Sequence, residues 1–283
     1  SARKEHLIKP LTDLFTKDTG IKVNIITAKA AQLHQRILRE GENSQADVLL
    51  TSDAGNLWRA HNDKLLQSVS SDILDSKIDS KYKDPDNYWF GLSLRARILV
   101  YAAERVDKNK LLGYKSLANP EFKGRVLIRS SSNIYNQSLI AHMISKYGLV
   151  EAEKWAMGLV KNFARDPAGG DRDQVKALAA GEGDIAIVNS YYVANMMDTD
   201  KKNLFDKLRI YFPNDDFMGT HLNISGAAVL KNAPNVNNAI TFIEFLASDE
   251  AQYIYANINY EYPVVKEIKI PFILQEFGSY TED

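Results

Sequence analysis

The chain contains no cysteine. That absence excludes disulfides, thiolate metal centres and cysteine nucleophiles. It fits an oxidising compartment, although many proteins of reducing compartments also lack cysteine. No stretch approaches the roughly 20 apolar residues needed to span a bilayer. The opening Ser1-Ala-Arg-Lys-Glu-His6 has no apolar signal core, so the chain reads as a soluble, mature form with no direct membrane insertion. Charge of one sign is also missing. With 35 Lys and Arg against 36 Asp and Glu the net charge is −1, and no global basic field points to nucleic acid or an anionic membrane surface.

The common catalytic and nucleotide motifs are missing too. Gly181-Glu-Gly-Asp-Ile-Ala186 matches a dinucleotide-loop string, but it follows a helical pattern and opens a strand, the reverse of the required context. The five histidines, His6, His34, His61, His142 and His221, contain no pair at the spacing of a helical zinc-protease motif. Neither a G-x-S-x-G elbow nor a phosphate loop occurs. An α/β enzyme built on Ser52, Asp53 or His221 therefore has no supporting motif.

What is present is ample apolar material, 45% of 283 residues, enough for one large or two ordinary domains. Helical and strand periodicities alternate along the chain. Leu7, Ile8, Leu11, Leu14 and Phe15 share a helix face closed by Gly20, and a strand is expected at 21–26. A helix at about 31–40 leads to a strand at 46–50, after which Thr51-Ser52-Asp53 caps a further helix. An extended run at 88–102 carries Arg95 and Arg97 on one face by period-two spacing. A second β/α series follows, with helices at about 135–146, 151–160 and 171–180, the last capped by Asp171. A second long extended run is expected at 217–230, and the end of the chain is largely helical. Two α/β lobes joined by these extended crossings, with both chain ends in one lobe, use the two runs best. That assigns 1–95 and 225–283 to the first lobe and 96–224 to the second. A single doubly wound domain with insertions is the alternative.

Tyr191-Tyr192 stands where the strand-like Asp184-Ile-Ala-Ile-Val-Asn189 gives way to Ser190 and a helical pattern. With 14 Tyr in the chain an adjacent pair arises readily by chance, so its context carries the argument. A phenol at a helix start meets unpaired N–H groups and the positive end of the macrodipole, which favour its ionised form. Tyrosinate is a hard anionic oxygen, suited to a hard cation such as Fe(III). Tyr135, in Asn133-Ile-Tyr135, has a similar setting after a strand and at a helix start.

Four segments together resemble the periplasmic ferric-iron-binding proteins, the substrate-binding components of iron(III) ABC transporters. They are Ala46-Asp-Val-Leu-Leu-Thr-Ser-Asp-Ala-Gly-Asn-Leu-Trp58, Lys123-Gly-Arg-Val-Leu-Ile-Arg-Ser-Ser-Ser-Asn-Ile-Tyr-Asn-Gln-Ser138, Gly181-Glu-Gly-Asp-Ile-Ala-Ile-Val-Asn-Ser-Tyr-Tyr192 and Asn223-Ile-Ser-Gly-Ala-Ala-Val-Leu230. The resemblance spans nearly the whole chain. It implies a two-lobe type II periplasmic-binding fold, Fe(III) capture in the interlobe cleft, delivery to an inner-membrane ABC permease, a periplasmic location and no catalysis. A monomer is expected.

Carried over by position, the metal ligands implied by the resemblance are Tyr135, Tyr191 and Tyr192. Arg3 and Arg97 match arginines that hold a synergistic carbonate or bicarbonate in one branch of the family, and guanidinium forks suit such a planar oxyanion. Another branch uses a first-lobe His and Glu. Lys4 and Ser52 stand at those positions here, which points to the anion-completed site, with His6 and Asp53 as the alternative first-lobe ligands. His6, Ser52, Asp53 and Asn133 are expected to line the cleft. The family also has a first strand, ending in Tyr, just before the Ser-x-Arg segment; the sequence opens after it. A binding protein on the same scaffold for a sugar, polyamine or oxyanion, with the tyrosines as stacking platforms, is the competing function.

Overall fold

The computed structural model describes residues 1–215 and 218–282, and for 200–204 the backbone alone. The strands are β1 Val48–Thr51, β2 Phe90–Ala102, β3 Val126–Leu127, β4 Ile185–Asn189, β5 Leu208–Tyr211, β6 Leu222–Val229 and β7 Tyr262–Pro263. The α-helices are α1 Glu5–Thr19, α2 Ala30–Glu40, α3 Ala54–Asn62, α4 Asp72–Lys77, α5 Ile134–Tyr147, α6 Leu149–Lys161, α7 Asp171–Ala179, α8 Ser190–Leu204, α9 Val236–Leu246, α10 Asp249–Asn257 and α11 Phe272–Gln275. Among the described residues no helix is long and apolar enough to cross a membrane.

The chain folds into two compact units. The first comprises Ser1–Leu94 and Ile224–Ile270, the second Arg95–Asn223 and the residues from Pro271 onward. The chain thus passes between units within β2, within β6 and again at Pro271.

In the first unit β1 and β6 pair antiparallel, Val48 opposite Val229 and Thr51 opposite Gly226. The first half of β2 pairs with β7 through Ser93 and Leu94. Ile8, Leu11 and Phe15 recur at helical spacing on the buried face of α1, and the Phe15 ring meets Phe242 edge-on at 5.0 Å. Gly20 ends that helix in the left-handed region at φ 74°, which costs a residue without Cβ little. Residues 21–26, expected as a strand, do not form one. They alternate in exposure as a strand would, but across from them lies a cavity of about 770 Å³ bounded by β1 and by Ile8, Phe15, Leu33 and Phe242. An extended segment without a neighbouring ladder is not a strand. The chain start lies at this cavity, with the Ala2 N–H donating to the Leu50 carbonyl at 2.8 Å and the Ala28 N–H to the Ser1 carbonyl at 3.2 Å.

In the second unit β2 runs between β5 and β4, antiparallel to both, and β3 lies parallel to β4 on its far side. All five residues of β4 are buried, and the apolar run Ile185–Val188 suits a strand covered on both faces. The core around them includes Leu99, Phe122, Val126, Trp155 and Ile187.

Residues 225–283 do not stay together as the sequence reading expected. Up to Ile270 they belong to the first unit, but the segment from Pro271 belongs to the second, where the Tyr280 ring lies 5.2 Å from Phe212 and the Thr220 N–H donates to Thr281 at 2.9 Å. Of the extended run expected at 217–230, Phe217 lies outside the described residues, and β6 covers Leu222–Val229.

Gly226 shows how closely the first unit is packed. A Cβ there would sit 2.3 Å from the Phe90 carbonyl oxygen and 2.9 Å from Leu57 Cδ1. Overpacking of this kind costs about 1–3 kcal/mol. Gly226→Ala should therefore lower the free energy of unfolding by that amount, read in chemical denaturation as a lower midpoint at unchanged slope.

Candidate metal site

Because β3 and β4 are adjacent and parallel, the helices that follow them start at the same edge of the sheet. The α8 helix begins at Ser190, immediately after β4, so Tyr191 and Tyr192 occupy its first turn. Tyr135 is the second residue of α5, and its N–H donates to the Asn133 side chain, the N-cap, at 3.0 Å. Both positions lie where helix N–H groups lack intrahelical acceptors.

The three phenols form one cluster in the second unit. The rings of Tyr191 and Tyr192 are 4.0 Å apart, and the two phenols share a hydrogen bond. Arg95 Nη1 donates to Tyr135 Oη at 3.1 Å, with the guanidinium carbon 5.2 Å from the Tyr135 ring and 5.7 Å from that of Tyr191. Arg129 lies 5.7 Å from the Tyr135 ring, and Arg172 lies 5.2 Å from that of Tyr192. Arg95, which the sequence reading left without a role, thus donates directly to a phenol oxygen; its spacing of two from Arg97 on an extended run was the available signal.

The acidity of the phenol cluster differs from the expectation at a helix start. Burial pushes Tyr191 well above its ordinary value, and repulsion from Tyr135 and Tyr192 adds to this. Burial and Tyr135 likewise raise Tyr192. Arg95 opposes the rise at Tyr191, as Arg129 does at Tyr192, without reversing it. Desolvation outweighs the helix terminus, so these two phenols are neutral at pH 7. Burial pulls Arg129 down, yet Asp171 and the neighbouring phenols hold its guanidinium above the usual value.

Arg97 is fully buried. Its Nη1 donates to Asp171 Oδ2 at 2.7 Å and Asn189 Oδ1 at 3.2 Å, and its Nη2 to Asn136 Oδ1 at 2.6 Å. These are the protein partners of the guanidinium that was expected to hold an anion. Asp171 is not the cap of α7 either. Gly170 occupies that position, with its N–H donating to Asp173 at 2.7 Å, while the Asp171 carboxylate turns inward to Arg97, Arg129 and the Asn189 N–H. Sequence alone could not distinguish this from capping, since a glycine followed by acidic residues reads as a helix start in either case.

The remaining candidates lie in the first unit. Arg3 is buried, in a two-pronged ion pair with Glu261 at 2.5 and 3.2 Å, and also donates to Ser225 at 3.0 Å. His6 is exposed on α1, Ser52 is half-buried, and Asp53 caps α3 by accepting from the Gly55 N–H at 2.9 Å. Among the described residues no three His, Asp or Glu side chains converge as a metal-holding group, which leaves the phenols as the converged hard donors.

Fold and site define a two-unit α/β binding protein with a phenol-rich site. Residues 43–272 match the family of bacterial extracellular solute-binding proteins. The chain is 43% identical to "Iron uptake protein A1" of Synechocystis over 286 residues, spanning all of this chain and 79% of that protein. A Trichodesmium structure solved with iron and citrate ligands superposes with a TM-score of 0.93 at 48% identity, covering 100% of this chain and 90% of the other. The ferric binding protein of Campylobacter jejuni gives a TM-score of 0.94 at 39% identity with the same coverage. The chain belongs to the bacterial extracellular solute-binding proteins, within their periplasmic ferric-iron-binding group.

Two outcomes follow from the geometry. Tyr135→Phe removes a repulsion that raises both Tyr191 and Tyr192, so in iron-free protein their ionisation should move to lower pH, read from the ring Cζ resonances. Arg3→Ala leaves Glu261 buried without its guanidinium, and should destabilise the fold by about 3–5 kcal/mol in chemical denaturation.

Proposed function

We propose that the chain captures Fe(III) through the phenolates of Tyr135, Tyr191 and Tyr192 and delivers it to an inner-membrane ABC permease. The observation that supports this most is the gathering of three phenols from two helix starts into one cluster bordered by guanidinium groups. Relatives named for iron uptake and ferric iron binding support the choice of metal. On this reading the protein works in the periplasm as a monomer and has no catalytic role.

Metal uptake must displace the phenol protons. Because Tyr191 and Tyr192 are raised above the ordinary value of about 10, each gives up a proton to the solvent when it binds at neutral pH. Lowering the pH returns those protons and releases iron.

Three phenolates cancel the charge of Fe(III) and leave its coordination shell incomplete. A carbonate or bicarbonate is proposed to complete it. Arg95, whose guanidinium donates to a phenol, is better placed to meet that anion than Arg3 and Arg97, which pair with Glu261 and Asp171; Arg129 lies beside the Tyr135 ring but also donates to Asp171. Citrate is the competing anion, since it accompanies iron in the Trichodesmium structure.

The test is a titration with Fe(III) nitrilotriacetate, alone or with bicarbonate or citrate, followed by phenolate-to-iron charge-transfer absorption. Wild type should develop the visible band, and one or both anions should shift the pH of iron release downward. Tyr191→Phe and Tyr192→Phe should each lose more than the about 10–100-fold in affinity that removal of a supporting partner costs. A wild type that binds no iron, or binds it without a phenolate band, would refute the reading.

A further inference from the structure

We infer that Arg97 and Asp171 are positioning residues that set the spacing of the three phenols. This rests on the iron reading above and deepens it. One guanidinium grips both phenol-bearing helix starts. Its Nη2 holds Asn136, the neighbour of Tyr135, at 2.6 Å, while its Nη1 holds Asn189, two residues before Tyr191, at 3.2 Å. Asp171 completes the frame. Its Oδ2 accepts from Arg97 at 2.7 Å and from the Asn189 N–H at 2.7 Å, and its Oδ1 accepts from Arg129 at 3.2 Å. Asn136 closes the ring by donating to the Arg129 carbonyl at 2.8 Å and the Ser130 carbonyl at 3.2 Å. From β2 itself, the Ala96 N–H donates to Ser190 Oγ at 3.1 Å, directly before the tyrosine pair.

The chemistry of the pair suits this role better than a stabilising one. Arg97, Asn136, Asp171 and Asn189 are all buried. An enclosed ion pair contributes little over an apolar replacement because both charges are stripped of water. What it adds is direction, since a planar fork holds two acceptors at a fixed separation and a lysine ammonium cannot. The Tyr114 hydroxyl donates to the Arg97 carbonyl and tethers the strand from behind.

Two variants test the inference. Arg97→Lys keeps the charge opposite Asp171 but loses the fork. The paired variant Arg97→Met with Asp171→Leu removes both charges and strands neither, so it keeps the question answerable if the lysine variant folds poorly. Circular dichroism and thermal melting establish the fold. Each folded variant should show a displaced iron–phenolate band and an affinity reduced by about 10–100-fold, equally with and without bicarbonate. In iron-free protein the Cζ resonances of Tyr135 and Tyr191 should shift as well. Wild-type band, affinity and resonances in the folded variants would overturn the inference, as would restoration of Arg97→Lys by bicarbonate, which would make Arg97 an anion ligand. If wild type gives no phenolate band the iron reading fails, and the iron-free resonances alone decide the positioning role.

Discussion

A guanidinium enclosed by protein must be neutralised and hydrogen-bonded where it lies, and the second unit is arranged around that requirement at Arg97. A strand crossing the middle of a sheet ordinarily carries apolar side chains. Here β2 carries two buried arginines two residues apart, and each engages groups at the edge where β3 and β4 hand over to their helices. The inward turn of Asp171, the side chains of Asn136 and Asn189 and the start of α8 all follow from satisfying one buried cation. Removing that demand would remove the reason for four buried polar side chains to meet at one point.

The same enclosure sets the chemistry of the phenols. Burial keeps Tyr191 and Tyr192 protonated despite their positions at a helix start. A cation that binds them must be a strong enough Lewis acid to displace protons held more firmly than in water. Weakly polarising cations meet an uncharged surface and gain little. The nearby guanidinium groups discourage further positive charge until phenolates have formed. Selectivity for a highly charged metal would thus arise from the cost of ionisation as much as from the identity of the donor atoms.

Much of the architecture was legible in the sequence because it depends on local periodicity. The apolar spacing of α1 and α9, the apolar run Ile185–Val188 of β4 and the cap at Asp53 are each specified by neighbouring residues. The gathering of Tyr135 with the later tyrosine pair was expected from resemblance, and a strand before Tyr135 was legible in the sequence; what local periodicity does not give is the physical cause, the parallel pairing of that strand, β3, with β4. Features that depend on distant partners were misread or missed. Asp171 resembles a cap until Arg97 is placed against it, and residues 21–26 look like a strand until the adjacent position proves to hold no ladder. The segment from Pro271 carries no local sign of the unit it joins.

The hydrogen bonds that frame the phenols also bear on how the chain reaches its native state. Arg97 binds groups 39, 74 and 92 residues away along the sequence. Contacts of such separation form late, because the loops they close must first surrender their entropy. Helices α5 and α8 can form early from local signals, but their tyrosines are not held in register until β2, α7 and β4 have met. Nascent or partly folded chains would therefore lack the assembled phenol cluster, and on the proposed iron reading metal occupancy would report completed folding of the second unit.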